Sequence, residues 1–345
     1  MSEVPVEAEV TRHILILFHG VGSAPHASIS RSLVQDLIND MGGVCSDPIP
    51  NSQLDVWLES PGGDAHAAYK LAIFLRSRYT RVNFVIPDYA KSAATLLALA
   101  GDEIFMASCA ELGPLDTQEV REGEAQFRSA LDTSESIENL YSRAIDLATF
   151  GGGTIVSTTR LSREKALLGV LDFTSNFMRP LLEQLDPLAI NAAATNLNVT
   201  LEYGVRLLER TGEEKEDLRQ RVANLVSGYP THGFVIDLAE AQRLQLPVRD
   251  VRSYDLREKL VNWYDLFSQL NSNIIRLMTI KELLEGIDDV DETGAPCKPD
   301  NAAEDGAEQH AEAVKSSEAK AEADQASDDV AADSESDAGQ VGRSL

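Results

Sequence analysis

His13-Ile14-Leu15-Ile16-Leu17-Phe18 is a short run of mostly branched apolar residues, the pattern of a strand buried on both faces. Gly20, Gly22 and Pro25 end it, and over 29–41 the apolar residues return at helical spacing. Two further extended runs, 54–58 and 82–86, are each trailed by a helical stretch, the first over 67–75 and the second opening at Ser92. Ile104-Phe105-Met106 is another strand candidate. Strands alternating with helices predict an α/β fold with a mostly parallel sheet, whose ligands lie outside the carboxyl ends of the strands. From Glu119 the pattern turns helical, over 135–149 and 162–185, with Gly151-Gly152-Gly153 predicting a flexible break between them. Residues 188–226 read as helical too. Thr231 to Ile236 leads into a short helix, and 255–285 reads as an amphipathic helical extension that covers the core or mediates assembly.

Charge divides the chain. The formal net charge is −26, and residues 286–345 hold 17 acidic and 4 basic side chains with no aromatic residue. Such a segment cannot bury enough apolar surface to offset its ordering entropy, so it is expected to be a disordered, solvating tail. The body, 1–285, is acidic as well, with 39 acidic against 26 basic residues, and carries no basic stripe with interleaved aromatics, which argues against nucleic-acid binding. Three scattered cysteines without metal-ligand spacing fit a reduced compartment and give no metal site. Residues 1–11 read as a flexible start without a secretory signal, and no apolar run is long enough for an integral membrane segment. A soluble, cytoplasmic protein is expected.

The candidate chemistry sits at two strand-to-helix junctions. Ser60-Pro61-Gly62-Gly63-Asp64 follows the extended run 54–58; adjacent glycines let the backbone approach a ligand and aim bare N–H groups at it. The second junction, Lys91-Ser92-Ala93-Ala94-Thr95, begins 28 residues after Gly63. A serine there is either an exposed nucleophile beside helix N-terminal amides or an N-cap satisfying those amides itself. A nucleophile and an oxyanion cradle together suggest acyl-transfer or hydrolytic chemistry.

Four segments resemble the serine dehydrogenase proteinase family, within the Clp protease and crotonase superfamily. Glu59-Ser60-Pro61-Gly62-Gly63-Asp64 is similar to its Thr-Pro-Gly-Gly turn. Lys91 to Ile104 is similar to its serine block, with Ala93-Ala94 where two glycines are common and Lys91 where a small or apolar residue is usual. Leu112-Gly113-Pro114-Leu115-Asp116-Thr117-Gln118 resembles its Leu-Gly-Pro-Val-Asp-Pro-Gln, and Thr231-His232-Gly233-Phe234-Val235-Ile236, ending at Leu246-Pro247-Val248, resembles its Thr-His-Asp-Tyr-Pro-Ile segment. The resemblance implies a Clp protease/crotonase-like fold of repeated strand-strand-helix units over 12–255, a helical insertion at about 119–227, and a homo-oligomer acting on a peptide or protein substrate without a cofactor.

It also distributes roles. Ser92 becomes the nucleophile, with Gly63 and Ala93 donating N–H groups to the oxyanion and Gly62 shaping the turn. The general base stays open. His232 lies on the segment resembling the one that carries the Clp triad's acid, and Asp116, 24 residues after Ser92, could orient it. Lys165 would instead form a Ser–Lys dyad, and a chain without a competent base is the remaining alternative. His66 is either a pocket residue or an exposed helix position, and His19-Gly20-Val21-Gly22 is a weak phosphate-loop pattern better read as loop punctuation. The leading expectation is a Clp-like serine peptidase; a crotonase-like acyl-CoA-binding enzyme or a catalytically silent scaffold are the alternatives.

Overall fold

The computed structural model describes residues 10–20, 27–116, 118–120, 127–209, 214–270 and 272–285. The expected flexible start (1–9 of it), Gly22, Pro25, Thr117 and the acidic tail 286–345 lie outside them. In chain order the elements are β1 (Thr11–Phe18), α1 (Arg31–Asp40), β2 (Ile49–Glu59), α2 (Ala65–Arg78), β3 (Tyr79–Ile86), β4 (Tyr89–Ala90), α3 (Ala93–Ala98), β5 (Glu103–Met106) and β6 (Glu111–Leu112). A hairpin, β7 (Gln118–Val120) and β8 (Phe127–Ser129), precedes four helices, α4 (Ala130–Thr158), α5 (Arg163–Leu182), α6 (Pro187–Leu208) and α7 (Lys215–Ser227). Then come α8 (Leu238–Arg243), β9 (Val248–Asp250), a single 3-10 turn at Val251–Ser253, α9 (Arg257–Leu270), β10 (Ile274–Thr279) and α10 (Ile280–Glu285).

A six-stranded sheet of order β10-β1-β2-β3-β5-β9 forms the centre, and every neighbouring pair is parallel except β1 with β10. Its strands are apolar on both sides because both sides are covered. Leu15 and Leu17 of β1 and Leu54, Val56 and Leu58 of β2 enter the core that also holds residues of α1, α2 and α3. On the other side Phe18 packs edge-on to Tyr264 and against Phe267 of α9, with ring centroids 5.9 and 5.2 Å apart. Asp55 interrupts the apolar run of β2 without leaving a bare charge. Its carboxylate pairs with Arg12 and accepts hydrogen bonds from Asn83 Nδ2 and the Tyr254 hydroxyl, each at 2.9 Å.

A short second ladder lies beyond the carboxyl ends of these strands. Ile29 bridges Gly63, Ser60 bridges Ala90, β4 pairs with β6, and Leu112 bridges Ile236. The candidate turns are therefore laced to one another through the backbone.

Two sequence expectations fail here. The Gly151-Gly152-Gly153 break does not form, because α4 runs through it. Gly151 lies 3.5 Å from Val170 of α5 by its would-be Cβ, so helix-to-helix packing overrides the weak helical propensity of glycine. Residues 255–285 are not a purely helical extension either: β10 joins the main sheet, antiparallel to β1. Its Ile274, Ile275 and Met278 suit a pleated surface, and the pairing covers what would be an open edge at β1. Among the described residues no helix is long and apolar enough to cross a membrane.

Candidate active site

Ser92 occupies the turn from β4 into α3 with φ +50° and ψ −118°. A residue with a side chain is rarely held there, at a cost of about 1–3 kcal/mol, unless the surroundings over-determine it. They do. Lys91 N–H donates to Ser60 O (3.0 Å), Ser60 N–H to Tyr89 O (3.0 Å) and Ala94 N–H to Lys91 O (2.9 Å). Below the turn, Thr95 Oγ1 donates to Ala90 O at 2.6 Å and accepts from Gly113 N–H at 3.0 Å. The Ser92 hydroxyl does not cap α3, and it has no hydrogen-bond partner among the described residues. The N-cap alternative for this serine is thereby removed.

The glycine turn is fitted to that elbow. Gly62 has φ +105°, and a Cβ on it would stand 2.6 Å from Lys91 O and 2.9 Å from Ser92 Cβ. Gly63 has φ +143°, and a Cβ there would run into the backbone of Ile29. Ile29 N–H donates to Gly62 O (2.7 Å) and Asp64 N–H to Ile29 O (2.8 Å), clamping the turn from the far side. Beneath it, Ser60 Oγ accepts from Gly62 N–H at 3.1 Å and meets His19 Nδ1 at 2.7 Å. His19 is thus a buried support of the turn, while Gly20 N–H is taken by Asn273 Oδ1 at 2.8 Å. The Gly62 amide is spent on Ser60. Those of Gly63 and Ala93 have no acceptor among the described residues, and both residues line one cavity with Ser92.

That cavity is about 230 Å³ and is completed by Ala65, His66, Leu96, Leu115 and the α6 residues Asn196, Val199 and Thr200. His66 lines the pocket and is also an exposed position of α2, so both readings of it hold. Its Nδ1 is 3.0 Å from the Tyr203 hydroxyl, and Tyr203 stacks on Tyr69 at 3.9 Å between centroids. The α6 wall lies outside every sequence motif of the site. Its only trace in the sequence is the spacing of Asn196, Val199, Thr200 and Tyr203, which repeats on one helix face.

His232 and Asp116 meet: Nδ1 lies 2.5 Å from Asp116 Oδ1, and Ser129 Oγ donates to Asp116 Oδ2 at 2.9 Å. Asp116 is buried and directly follows Leu115, a cavity-lining residue; His232 is partly exposed. No hydrogen bond joins His232 to Ser92. Lys165 stands in the first turn of α5, exposed, with its N–H on Ser162 Oγ. It does not line the Ser92 cavity, since α5 packs on α4 rather than on α3. The structure gives no Ser–Lys dyad.

One buried carboxyl nearby escaped the sequence reading. Glu59, the last residue of β2, is 4% exposed and points to the α9 side, opposite Ser60. Burial pushes its carboxyl up to about 7; the hydrogen bond from Tyr264 works against that rise and the charge of Asp88 adds to it. The same cluster, with burial as the leading cause, raises the Tyr89 and Tyr264 phenols.

Ser92 thus stands at positive φ beside two open amides, each at a strand-to-helix turn. Residues 45–140 match the family of ClpP-like SDH-type serine proteinases. The resemblance seen in the Pro-Gly-Gly turn, the serine block and the Leu-Gly-Pro-Leu-Asp segment is borne out over that stretch, and the mixed α/β fold with its mostly parallel sheet fits a ClpP-like fold. The SDH-type match contains Gly62, Gly63, Ser92, Ala93 and Asp116 and ends before Lys165 and His232. Two uncharacterized proteins of Methanocaldococcus jannaschii are each 40% identical to the chain over 65 residues. Those residues are 19% of this chain and 22% and 23% of the two relatives, so less than a quarter of each relative's length is spanned.

Proposed function

We propose that the chain is a serine peptidase of the ClpP-like type that cleaves peptide bonds through an acyl-enzyme on Ser92. One observation carries this reading: Ser92 is held at positive φ with its hydroxyl uncapped, in the same cavity as the unengaged Gly63 and Ala93 amides. A helix-capping serine needs neither the strain nor the open amides.

In this mechanism Ser92 Oγ attacks the carbonyl carbon of the substrate and its proton passes to His232 Nε2. The carbonyl π electrons move onto oxygen, where Gly63 and Ala93 N–H groups receive the charge. Donors of this kind lower such barriers by about 3 kcal/mol. Collapse breaks the C–N bond, and the leaving amine takes the proton from His232. Water then repeats the sequence on the ester, releasing the acid and restoring Ser92. Asp116 fixes the imidazole by its bond to Nδ1, which leaves Nε2 as the proton acceptor. The hydrogen bond between Ser92 and His232 is made when substrate closes the site, as catalytic hydrogen bonds commonly tighten on binding. The cavity, with Ala65, Leu96, Leu115 and Val199 among its walls, suits an apolar or small uncharged side chain of a peptide. A homo-oligomer is part of this reading, supported by apolar residues such as Phe150, Leu168 and Phe173 that α4 and α5 leave exposed.

The test is proteolysis of an unfolded polypeptide, with new termini read by mass spectrometry for wild type and Ser92→Ala. New termini that vanish in the variant support the reading. Absence of cleavage together with calorimetric binding of an acyl-CoA would instead assign the two amides to a thioester oxygen, and absence of both would leave a scaffold.

A further inference from the structure

Lys91, the residue before the nucleophile, is a departure from the SDH-type pattern and has a built environment. Its side chain is 16% exposed, and its ammonium lies 2.8 Å from Glu111 Oε1 and 3.4 Å from both Leu112 O and Phe234 O. An ammonium has three protons to donate, and these are three acceptors on two separate segments. The stem reaches them because position 113 is glycine, where a Cβ would stand 2.7 Å from Lys91 Cδ. Phe234 belongs to the turn that carries His232: Phe234 N–H closes it onto Thr231 O at 3.1 Å, and Phe234 stacks on Tyr229 at 4.7 Å. Past the turn, Ile236 exchanges backbone hydrogen bonds with Leu112 at 2.9 and 3.1 Å.

We propose that Lys91 is a positioning residue: its ammonium, balanced by Glu111, ties the 231–236 turn to the backbone entering Ser92 and so sets where the His232 imidazole can approach. This rests on the peptidase reading for its consequence, though not for the tie itself. With its ammonium committed to Glu111 and two carbonyls, Lys91 is not the base. Its charge acts on the turn, and the turn on the imidazole.

Hydrogen–deuterium exchange tests the tie without any need for activity. In Lys91→Met, amides of 231–236 should exchange about tenfold faster, the equivalent of one lost charge-assisted hydrogen bond, with α3 unchanged. Lys91→Arg should restore exchange to within about twofold, since a guanidinium reaches the same acceptors. If Lys91→Met fails to fold, Glu111→Gln should give a smaller increase confined to the same segment. Unchanged exchange at 231–236, or an increase spread into α3, overturns the proposal. The action on His232 is read from fluorophosphonate labelling of Ser92. Lys91→Met should slow it about tenfold alone and add nothing in a His232→Ala background, whereas losses that multiply overturn the route through His232. A wild type that takes up no probe while the exchange result holds refutes the peptidase reading and leaves the tie established.

Discussion

The Ser92 elbow and the turn that carries His232 face one reaction in the proposed mechanism, yet they are held in different ways. Around Ser92 the Gly62-Gly63 turn, β4 and the start of α3 are bound by backbone hydrogen bonds on every side, with Ser60, Thr95 and His19 buried completely beneath them. A methyl group on Gly62 or Gly63 would collide with the surrounding backbone. The 231–236 turn is largely exposed and is tied down by Asp116, by Lys91 and by the Leu112–Ile236 bridge. Preorganised amides contribute only if they are rigid, since their value lies in not having to reorganise as charge develops. A base has to meet a substrate-dependent geometry, and a lightly tied turn permits that.

The contrast can be broken experimentally. The largest effect expected of the base side comes from His232→Ala, which should slow probe labelling of Ser92 by about 10²-fold, the usual worth of a positioned base. A rate within twofold of wild type would remove His232 from the mechanism. On the rigid side, Gly63→Ala should destabilise the fold by about 3 kcal/mol in urea unfolding, through a strained φ and a collision with Ile29. Full stability in that variant would mean that the elbow is more pliable than its hydrogen bonds indicate.

Glu59, next to Ser60 but on the opposite side of the sheet, sharpens the comparison through pH. Its carboxyl titrates near 7 in the fold, above its ordinary 4.5, so the folded state holds the proton more tightly than the unfolded chain. The associated stability is complete below pH 4.5, is lost as pH rises from 4.5 to 7, and stays lost above. Glu59→Gln should therefore be more stable than wild type at pH 8, by roughly 1–3 kcal/mol, and show no advantage at pH 4 in thermal unfolding. An advantage of equal size at both values would rule out the titration as its cause. The smallest effect is expected of Lys165→Ala, whose labelling rate should stay within twofold of wild type; a hundredfold loss would bring the Ser–Lys dyad back.

The same contrast explains what could be read from the sequence. Strand, turn and helix around Gly62 and Ser92 are consecutive in the chain, so their periodicity and glycine placement announce them directly. His232 and Asp116 were legible as candidates, but their contact spans 116 residues and depends on how β6 and the segment after α7 come together. The pocket wall from α6 left only a helical spacing to find. Glu59 reads as one more polar residue at the end of a strand; its burial depends on α9, which is close in the fold but about two hundred residues later in the chain. The glycines of α4 and the strand β10 depart from their sequence patterns for a related reason. In both, packing against another element, the adjoining α5 or the distant β1, outweighs local propensity.

The central claim is that Ser92 is an activated nucleophile. Intact mass of the full-length protein after exposure to a fluorophosphonate probe tests it most directly, with folded Ser92→Ala alongside. The account predicts a single adduct on wild type and none on the variant. A folded wild type that stays unmodified, or an adduct that persists in Ser92→Ala, would contradict it.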